Sequence, residues 1–369
     1  MRSKVALVGT RPETVLEDYR RVMELAEYRR HLSPDEDLIL KLNLSWTKYF
    51  PACSSQPWQV EGVVRTLRQD GFTPDRLWPL ENKTVVTNPR KGCRNNLWEP
   101  ILKAYGLTFR ALPEEEWIVH RFRRPLLKLN QIFPEGIEIP RLYVGRDILH
   151  LPTVKTHGHS TTTGAVKNSF GGLLKEVRHY AHKYMHEVLV DLLIMQQELH
   201  PHVFAVMDGT VCGNGAGPRT MEPVVENVLL ASADSVAIDA VAARLMGFDP
   251  LAIPYLRMSD EMRLGHAQPA DIELVGDEEL FHLDFGFKVK RSFVIWGDQM
   301  LRRGPLRFLE HIALHSPLMV WAPFASNVYH DWLWYPTIGR AIIRRYGQTP
   351  WGRLFRTYAE RGTLADDLP

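Results

Sequence analysis

Short apolar runs alternate with longer segments of helical period along most of this chain. KVALVG and LILKLNL are runs of the first kind, and both read as strands. Between them, residues 12–30 carry apolar positions at helical spacing; after the second, PWQVEGVVRTLRQDG reads as an amphipathic helix stopped by Gly71. A less regular stretch follows, with short strands expected near residues 84–87 and 107–112 and a helix between them. DILHLPTV is a further strand; after it come a helix near 163–174, a long helix over 180–199 and the strand HVFAVMD. GTVCGNGAGPRT reads as a glycine-rich loop leading into the strand NVLLAS. DSVAIDAVAARLMG is a helix that Asp234 can N-cap and Gly247 can end. PLAIPYLRMSDEMRLG adds one more helix and DIELVG one more strand. This alternation predicts an α/β fold, a mostly parallel open sheet with helices on both faces. We assign residues 1–285 to that α/β domain and residues 286–369 to a helical, aromatic-rich C-terminal extension.

Composition changes this picture in two places. The net charge of +2 gives no reason to expect nucleic acid as a partner. The charge is uneven, however: residues 288–369 carry 12 Lys/Arg against 6 Asp/Glu, and half of the ten tryptophans. IGRAIIRRYG within it reads as a short basic amphipathic helix. Such an extension packs its aromatics on the core with the arginines outside, or rests on an acidic protein partner or a membrane surface. The three cysteines, Cys53, Cys93 and Cys212, are far apart and form no CxxC, so no intrinsic iron–sulfur cluster is expected and any cofactor stays unidentified. Sparse cysteines, an N-terminal apolar run too short for a signal peptide and no run of 18 apolar residues point to the cytoplasm.

The chemistry concentrates in LPTVKTHGHSTTTGAVKNSFGG, which holds two lysines, two histidines, four consecutive hydroxyl residues and an asparagine, but no acid. Lys155 and His157 follow a strand, and Lys167 and Asn168 lie on the next helix. If that helix starts near residues 160–163, its free N–H groups and the neighbouring hydroxyls form an anion site, with Asn168 fixing orientation. His157 is a candidate general acid or base. His157 and His159 are also weak metal candidates. In RHYAHKYMHE, His179, His182 and His186 fall within about 60° of one another on a helix, so they would share one face. That face suits a metal, an anionic pocket or plain solvent. Asp208 ends a strand before the glycine loop. Asp239 sits in a largely apolar helix, where a carboxylate needs a partner, and pairing with a lysine of the site is the expectation.

Taken in order, LILKLNL, QPWQVEGVVRTLRQDGF, LPTVKTHGHSTTTGAVKNSFGGLL, VMDGTVCGNGAGP and LLASADSVAIDAVAARLMGFDP resemble the domain-of-unknown-function family 362. The resemblance spans residues 5–276. By motif it carries over Lys41, Asn43, Lys155, Thr156, His157, Thr163, Gly164, Lys167, Asn168, Gly171, Asp208, Asn214, Gly215, Gly217, Pro218 and Asp239. Leu42 stands where the family usually has proline. Many members look like redox-associated proteins with ferredoxin-like cysteine clusters, which this chain lacks; its end is basic and rich in tryptophan instead.

These observations favour an enzyme acting on a small anionic substrate, a carboxylate or phosphate. Lys41, Asn43, Thr156, Thr163, Gly164, Lys167, Asn168, Asn214 and Gly215 would bind it, and His157, Lys155, Asp208 and Asp239 would carry the chemistry. The alternatives are a non-catalytic scaffold that binds a cofactor or metabolite, and a redox-accessory protein related to the iron–sulfur members.

Overall fold

The structure, a computed structural model, describes residues 2–84, 87–175, 181–291, 296–297, 299–300, 304, 308 and 321–365. Twelve strands are formed among them: β1 Ser3–Gly9, β2 Leu38–Lys41, β3 Leu77–Glu81, β4 Arg110–Ala111, β5 Trp117–His120, β6 Ile137–Pro140, β7 Asp147–His150, β8 Thr153–His157, β9 Thr161–Thr162, β10 Val203–Ala216, β11 Thr220–Ser232 and β12 Ile272–Gly276. Ten make one mixed sheet in the order β12-β1-β11-β10-β7-β2-β3-β4, with β8 on β10 and β9 on β8; β5 and β6 pair separately. The ladders from β10 through β7, β2 and β3 to β4 are parallel, as is β1 with β12, whereas β11 runs antiparallel to both its neighbours. This is the mostly parallel α/β sheet that the sequence pattern predicts.

Among the described residues nine helices alternate with these strands: α1 Val15–Leu25, α2 Pro57–Gln69, α3 Pro89–Asn95, α4 Trp98–Ala104, α5 Leu129–Ile132, α6 Ala165–Leu173, α7 Met185–Leu199, α8 Ser235–Leu245 and α9 Pro254–Glu261. They cover both faces because successive strand residues point to opposite sides. In β2, Leu38 and Leu40 join the α1 and α2 side of the core with Tyr19, Val22 and Val63, while Ile39 joins Phe170 of α6 and Leu189 of α7. In β1 the alternation repeats: Ala6 and Val8 lie on the first side, and Val5 and Leu7 pack with Ile238 and Val241 of α8. Asp234 caps α8 as expected, accepting from the N–H groups of Val236 and Ala237, and Gly247 follows its end at φ +91°.

Three local expectations need correction. DILHLPTV divides into β7 and β8 at Leu151-Pro152, since proline cannot extend a ladder through its missing N–H. The long helix begins only at Met185. The largest change is GTVCGNGAGPRT, which is not a loop: it is the second half of β10 and the turn of a long hairpin with β11. Gly209, Gly213 and Gly217 answer close packing, whereas Gly215 answers a positive φ of +110°. A Cβ on Gly213 would stand 2.5 Å from the sulfur of Met221 and 2.9 Å from Cβ of Lys155, because β8 pairs with β10 there.

The C-terminal segment packs on the α1 and α2 face. Trp334, Tyr346, Trp351 and Tyr358 are buried in that cluster, and the Trp351 indole donates to Asn227 Oδ1 at 2.7 Å. The backbone N–H of Leu364 donates to the Glu61 carboxylate of α2. Trp351 is 1% exposed and Trp332 of the same segment 65%. Trp351→Ala is therefore expected to lower stability by about 3–5 kcal/mol, and Trp332→Ala by less than about 0.5 kcal/mol. Urea unfolding of the two variants checks the contrast.

Candidate functional site

At the carboxyl ends of β2 and β7, where open α/β sheets hold their ligands, the chain opens into a polar cleft. It encloses about 310 Å³ of empty space, part of it open to solvent, and is lined by Asn43, Ser45, Pro152, Thr153, Lys155, Thr163, Gly164, Lys167, Asn168 and Pro218. Two of these side chains are cationic and none is acidic.

Lys155 comes from the centre of β8 and is buried. Its Nζ donates to Asn43 Oδ1 and Thr153 Oγ1, each at 2.5 Å, and to the carbonyl of Cys53 at 3.0 Å. Burial pulls the ammonium down to about 7, and the charge of Lys167 acts in the same direction. Asn43 is held from the other side, its Nδ2 donating to Asn168 Oδ1 at 3.3 Å. Asn168 in turn donates to the carbonyl of Lys41 at 3.0 Å and to Nδ1 of His150 at 3.3 Å. The opposite ring nitrogen of His150 lies 2.5 Å from Gln196 Oε1, so it carries the proton and donates there. Burial pulls His150 down to about 3, which keeps it neutral. A buried chain thus runs from Gln196 of α7 through His150, Asn168 and Asn43 to Lys155.

Helix α6, which carries Lys167 and Asn168, starts against a carboxylate. Asp239 of α8 accepts the N–H of Ala165 at 2.6 Å and that of Val166 at 3.2 Å, and the Tyr255 hydroxyl at 3.2 Å. Burial pushes its carboxyl up to about 7, and these donors oppose the rise. Two expectations are corrected here. Asp239 pairs with a helix start and a tyrosine, not with a lysine of the site, because α8 packs directly against the first turn of α6. For the same reason the first two N–H groups of α6 are not open to an anion; the protein's own carboxylate takes them.

Other sequence candidates fall outside the cleft. Lys41 is buried with its Nζ 2.8 Å from both oxygens of Glu81 and 2.6 Å from the carbonyl of Leu42, so it braces β2 against β3 below α6. Asp208 is buried among donors: Tyr19 Oη at 2.5 Å, Trp58 Nε1 at 3.1 Å and the Thr210 N–H and hydroxyl. It joins α1 and α2 to β10 rather than facing the cleft. Thr156 exchanges hydrogen bonds with the backbone of Gly215, and Asn214 Oδ1 accepts the N–H of Lys288. These three tie β8 and the chain at Lys288 to the hairpin. Thr163 does line the cleft, its hydroxyl donating to the carbonyls of Thr153 and Lys155.

His157 is buried, and its Nδ1 accepts backbone N–H groups from His159 at 3.1 Å and Ser160 at 3.3 Å. Its proton therefore sits on Nε2, and the ring presents a donor rather than a base. Burial, with Lys167 and the neighbouring histidines, drives its pKa well below the usual range. His159 lies between His157 and His182, with ring centroids 5.9 and 5.6 Å away, whereas His186 stacks on Tyr255. His182 and His186 thus meet different neighbours instead of sharing one face, and His179 lies outside the described residues. Among the described residues no three His, Cys, Asp or Glu side chains converge as a metal site requires.

Glu81, His150, Gln196, Ser45 and Thr153 belong to the site or its support and are absent from the sequence candidates. His150 left a signal, a histidine inside an apolar strand. Glu81 left none, since its partner is 40 residues earlier.

An α/β domain with this cleft is a member of a recognised class: the chain belongs to the family described as Domain of unknown function (DUF362), whose model matches residues 38–244. The thylakoid-associated protein sll1697 of Synechocystis sp. is 25% identical over 281 residues, covering 71% of this chain and 83% of that protein. A crystal structure of a Thermotoga maritima protein is similar at 11% identity and a TM-score of 0.36; the match covers 68% of this chain and spans 59% of that one.

The start of α6 tolerates no side chain at residue 164, because a Cβ on Gly164 would stand 2.1 Å from Asp239 Oδ1. Gly164→Ala is expected to cost about 2–3 kcal/mol, and Asp239→Ala about 2–4 kcal/mol through orphaned N–H groups. The double variant should lose at least about 0.5 kcal/mol less than the sum, since the alanine then occupies vacated space. Strict additivity in a double-mutant unfolding cycle would show that the two residues do not oppose each other. Lys41→Met should cost about 3–5 kcal/mol by stranding Glu81, without lowering the anion affinity of the folded protein, as equilibrium dialysis would show.

Proposed function

We propose that the cleft binds a small anion, a phosphate or carboxylate, and that the chain is an enzyme acting on it. One observation carries this reading: two lysines, two asparagines and three hydroxyl residues line a cleft that contains no acidic side chain. A desolvated cation in such surroundings attracts an anion far more strongly than it would in water. Lys155 and Lys167 supply charge. Asn43, fixed by Lys155 on one side and Asn168 on the other, orients the ligand.

Proton transfer is assigned to Lys155 rather than to His157. Lys155 lines the cleft and titrates near neutrality, the range in which a group both gives and takes a proton. His157 has its acceptor nitrogen committed to backbone, so its role is to donate a hydrogen bond from Nε2. The organic substrate and the reaction remain to be found by screening phosphate monoesters and short carboxylic acids. As to location, we propose peripheral attachment to a membrane from the cytoplasmic side. The name of the thylakoid-associated relative and the basic C-terminal segment support this. No helix among the described residues is long and apolar enough to cross a membrane.

The sign of the pH effect follows from Lys155. Below its pKa of about 7 it is an ammonium and attracts the anion; above, it is neutral. Affinity for inorganic sulfate, whose own charge is constant in this range, is expected to fall about tenfold between pH 6.5 and 8. In Lys155→Arg the fall should vanish, because the guanidinium stays charged. Calorimetric titration reads both. Unchanged sulfate and phosphate binding in Lys155→Met and Lys167→Met would sink the anion-site reading.

A further inference from the structure

The C-terminal segment has two apolar faces; one is packed on the domain, and the other is exposed among the described residues. Helix Trp321–Asn327 continues into the π-helical stretch Val328–Gly339 and then helix Arg340–Tyr346. His330, Trp334, Gly339 and Tyr346 are buried against the domain. On the other side Phe324 is 60%, Trp332 65%, Leu333 59% and Ile338 54% exposed. Phe324 and Trp332 meet edge to face at 6.1 Å, so they form one patch. Arg340, Arg344 and Arg345 of the helix that follows are also exposed, Arg345 being paired with Glu222. Between residues 321 and 365 there are six arginines against two acidic residues.

Large aromatic and aliphatic side chains clustered in water call for an occupant. We infer that this face is a membrane-docking surface, in which Phe324, Trp332 and Leu333 enter the interfacial layer of an anionic bilayer and Arg340 and Arg344 meet its headgroups. The inference rests on the peripheral location proposed above and names the surface responsible. Aromatic rings settle at the boundary between headgroups and acyl chains, and flanking arginines favour anionic lipid. A second copy of this chain fits less well. A twofold contact would set one cluster of arginines against its equal.

The test is sedimentation of the full chain with vesicles of phosphatidylcholine alone and with one-third phosphatidylglycerol. Wild type is expected to bind the anionic vesicles, with binding falling as salt rises. Trp332→Glu/Leu333→Glu should weaken that binding at least about tenfold while leaving thermal unfolding and sulfate binding unchanged. Arg340→Ala/Arg344→Ala should narrow the gap between the two vesicle types. If wild type binds vesicles and the Trp332→Glu/Leu333→Glu variant binds equally well, the surface assignment is overturned and the peripheral location stands. If wild type binds neither vesicle, both fall; if it sediments as a dimer that this variant dissociates, the face is a contact between copies and the surface assignment alone falls.

Discussion

Asp239 holds the start of α6, and most of the cleft depends on that grip. A buried carboxylate with no cation beside it is costly, and here it is offset by two backbone N–H groups and a tyrosine hydroxyl. The approach is so close that residue 164 has no room for a Cβ. Once the first turn of α6 is fixed, Lys167 stands at the rim of the cleft and Asn168 turns inward to Lys41 and His150. Lys167 at the cleft and Asn168 beneath it are therefore positioned from below, by a residue that does not line the cleft.

The support continues as a chain of neutral groups. Gln196, His150, Asn168 and Asn43 pass hydrogen bonds from α7 to Lys155, and each link fixes the donor sense of the next. Because Asn168 donates to Nδ1 of His150, that ring must donate to Gln196; because Asn43 donates to Asn168, its carbonyl oxygen must face Lys155. The cleft therefore has one defined arrangement of donors and acceptors before anything enters it. Lys41 and Glu81 contribute differently. They neutralise each other beneath α6 and keep uncompensated charge away from this network.

What was legible in the sequence was local. The strand of Val5 to Val8, the helix capped by Asp234 and the cluster around Lys155 and Lys167 all carry their signal within a few residues. What was hidden depends on partners distant in the chain. Lys41 looks like a ligand-binding lysine until Glu81 is seen beside it. Asp239 looks like a partner for lysine until α8 is seen packed on α6. The glycines after Asp208 suggest a loop, yet Gly213 lets β8 lie closely beside β10, a reason that exists only in three dimensions. His157 misleads in a subtler way. Its residue type suggests acid–base work, but its tautomer is set by backbone N–H groups that the folded turn alone supplies.

The C-terminal segment lies outside residues 38–244, the range of the family match, yet it is joined to the walls of the cleft. Ser45 and Pro218 line the cleft, and their neighbours Trp46 and Arg219 are both held by this segment. The Trp46 indole donates to Asp331 at 2.6 Å, Arg219 donates to the Ser326 hydroxyl at 2.9 Å, and Lys48 reaches the carbonyl of Asp331 at 3.0 Å. Tyr335 adds a hydrogen bond to the carbonyl of Tyr49, and its ring meets Trp46 edge to face. One side of the segment thus braces the loop that follows β2 and the turn that follows β10, while its other side is exposed. The inner face of the segment is therefore tied by hydrogen bonds to residues adjoining two walls of the cleft. The side chains that make these contacts, Trp46 and Tyr335 among them, lie close in sequence to the cleft-lining residues or on the segment that carries the exposed face.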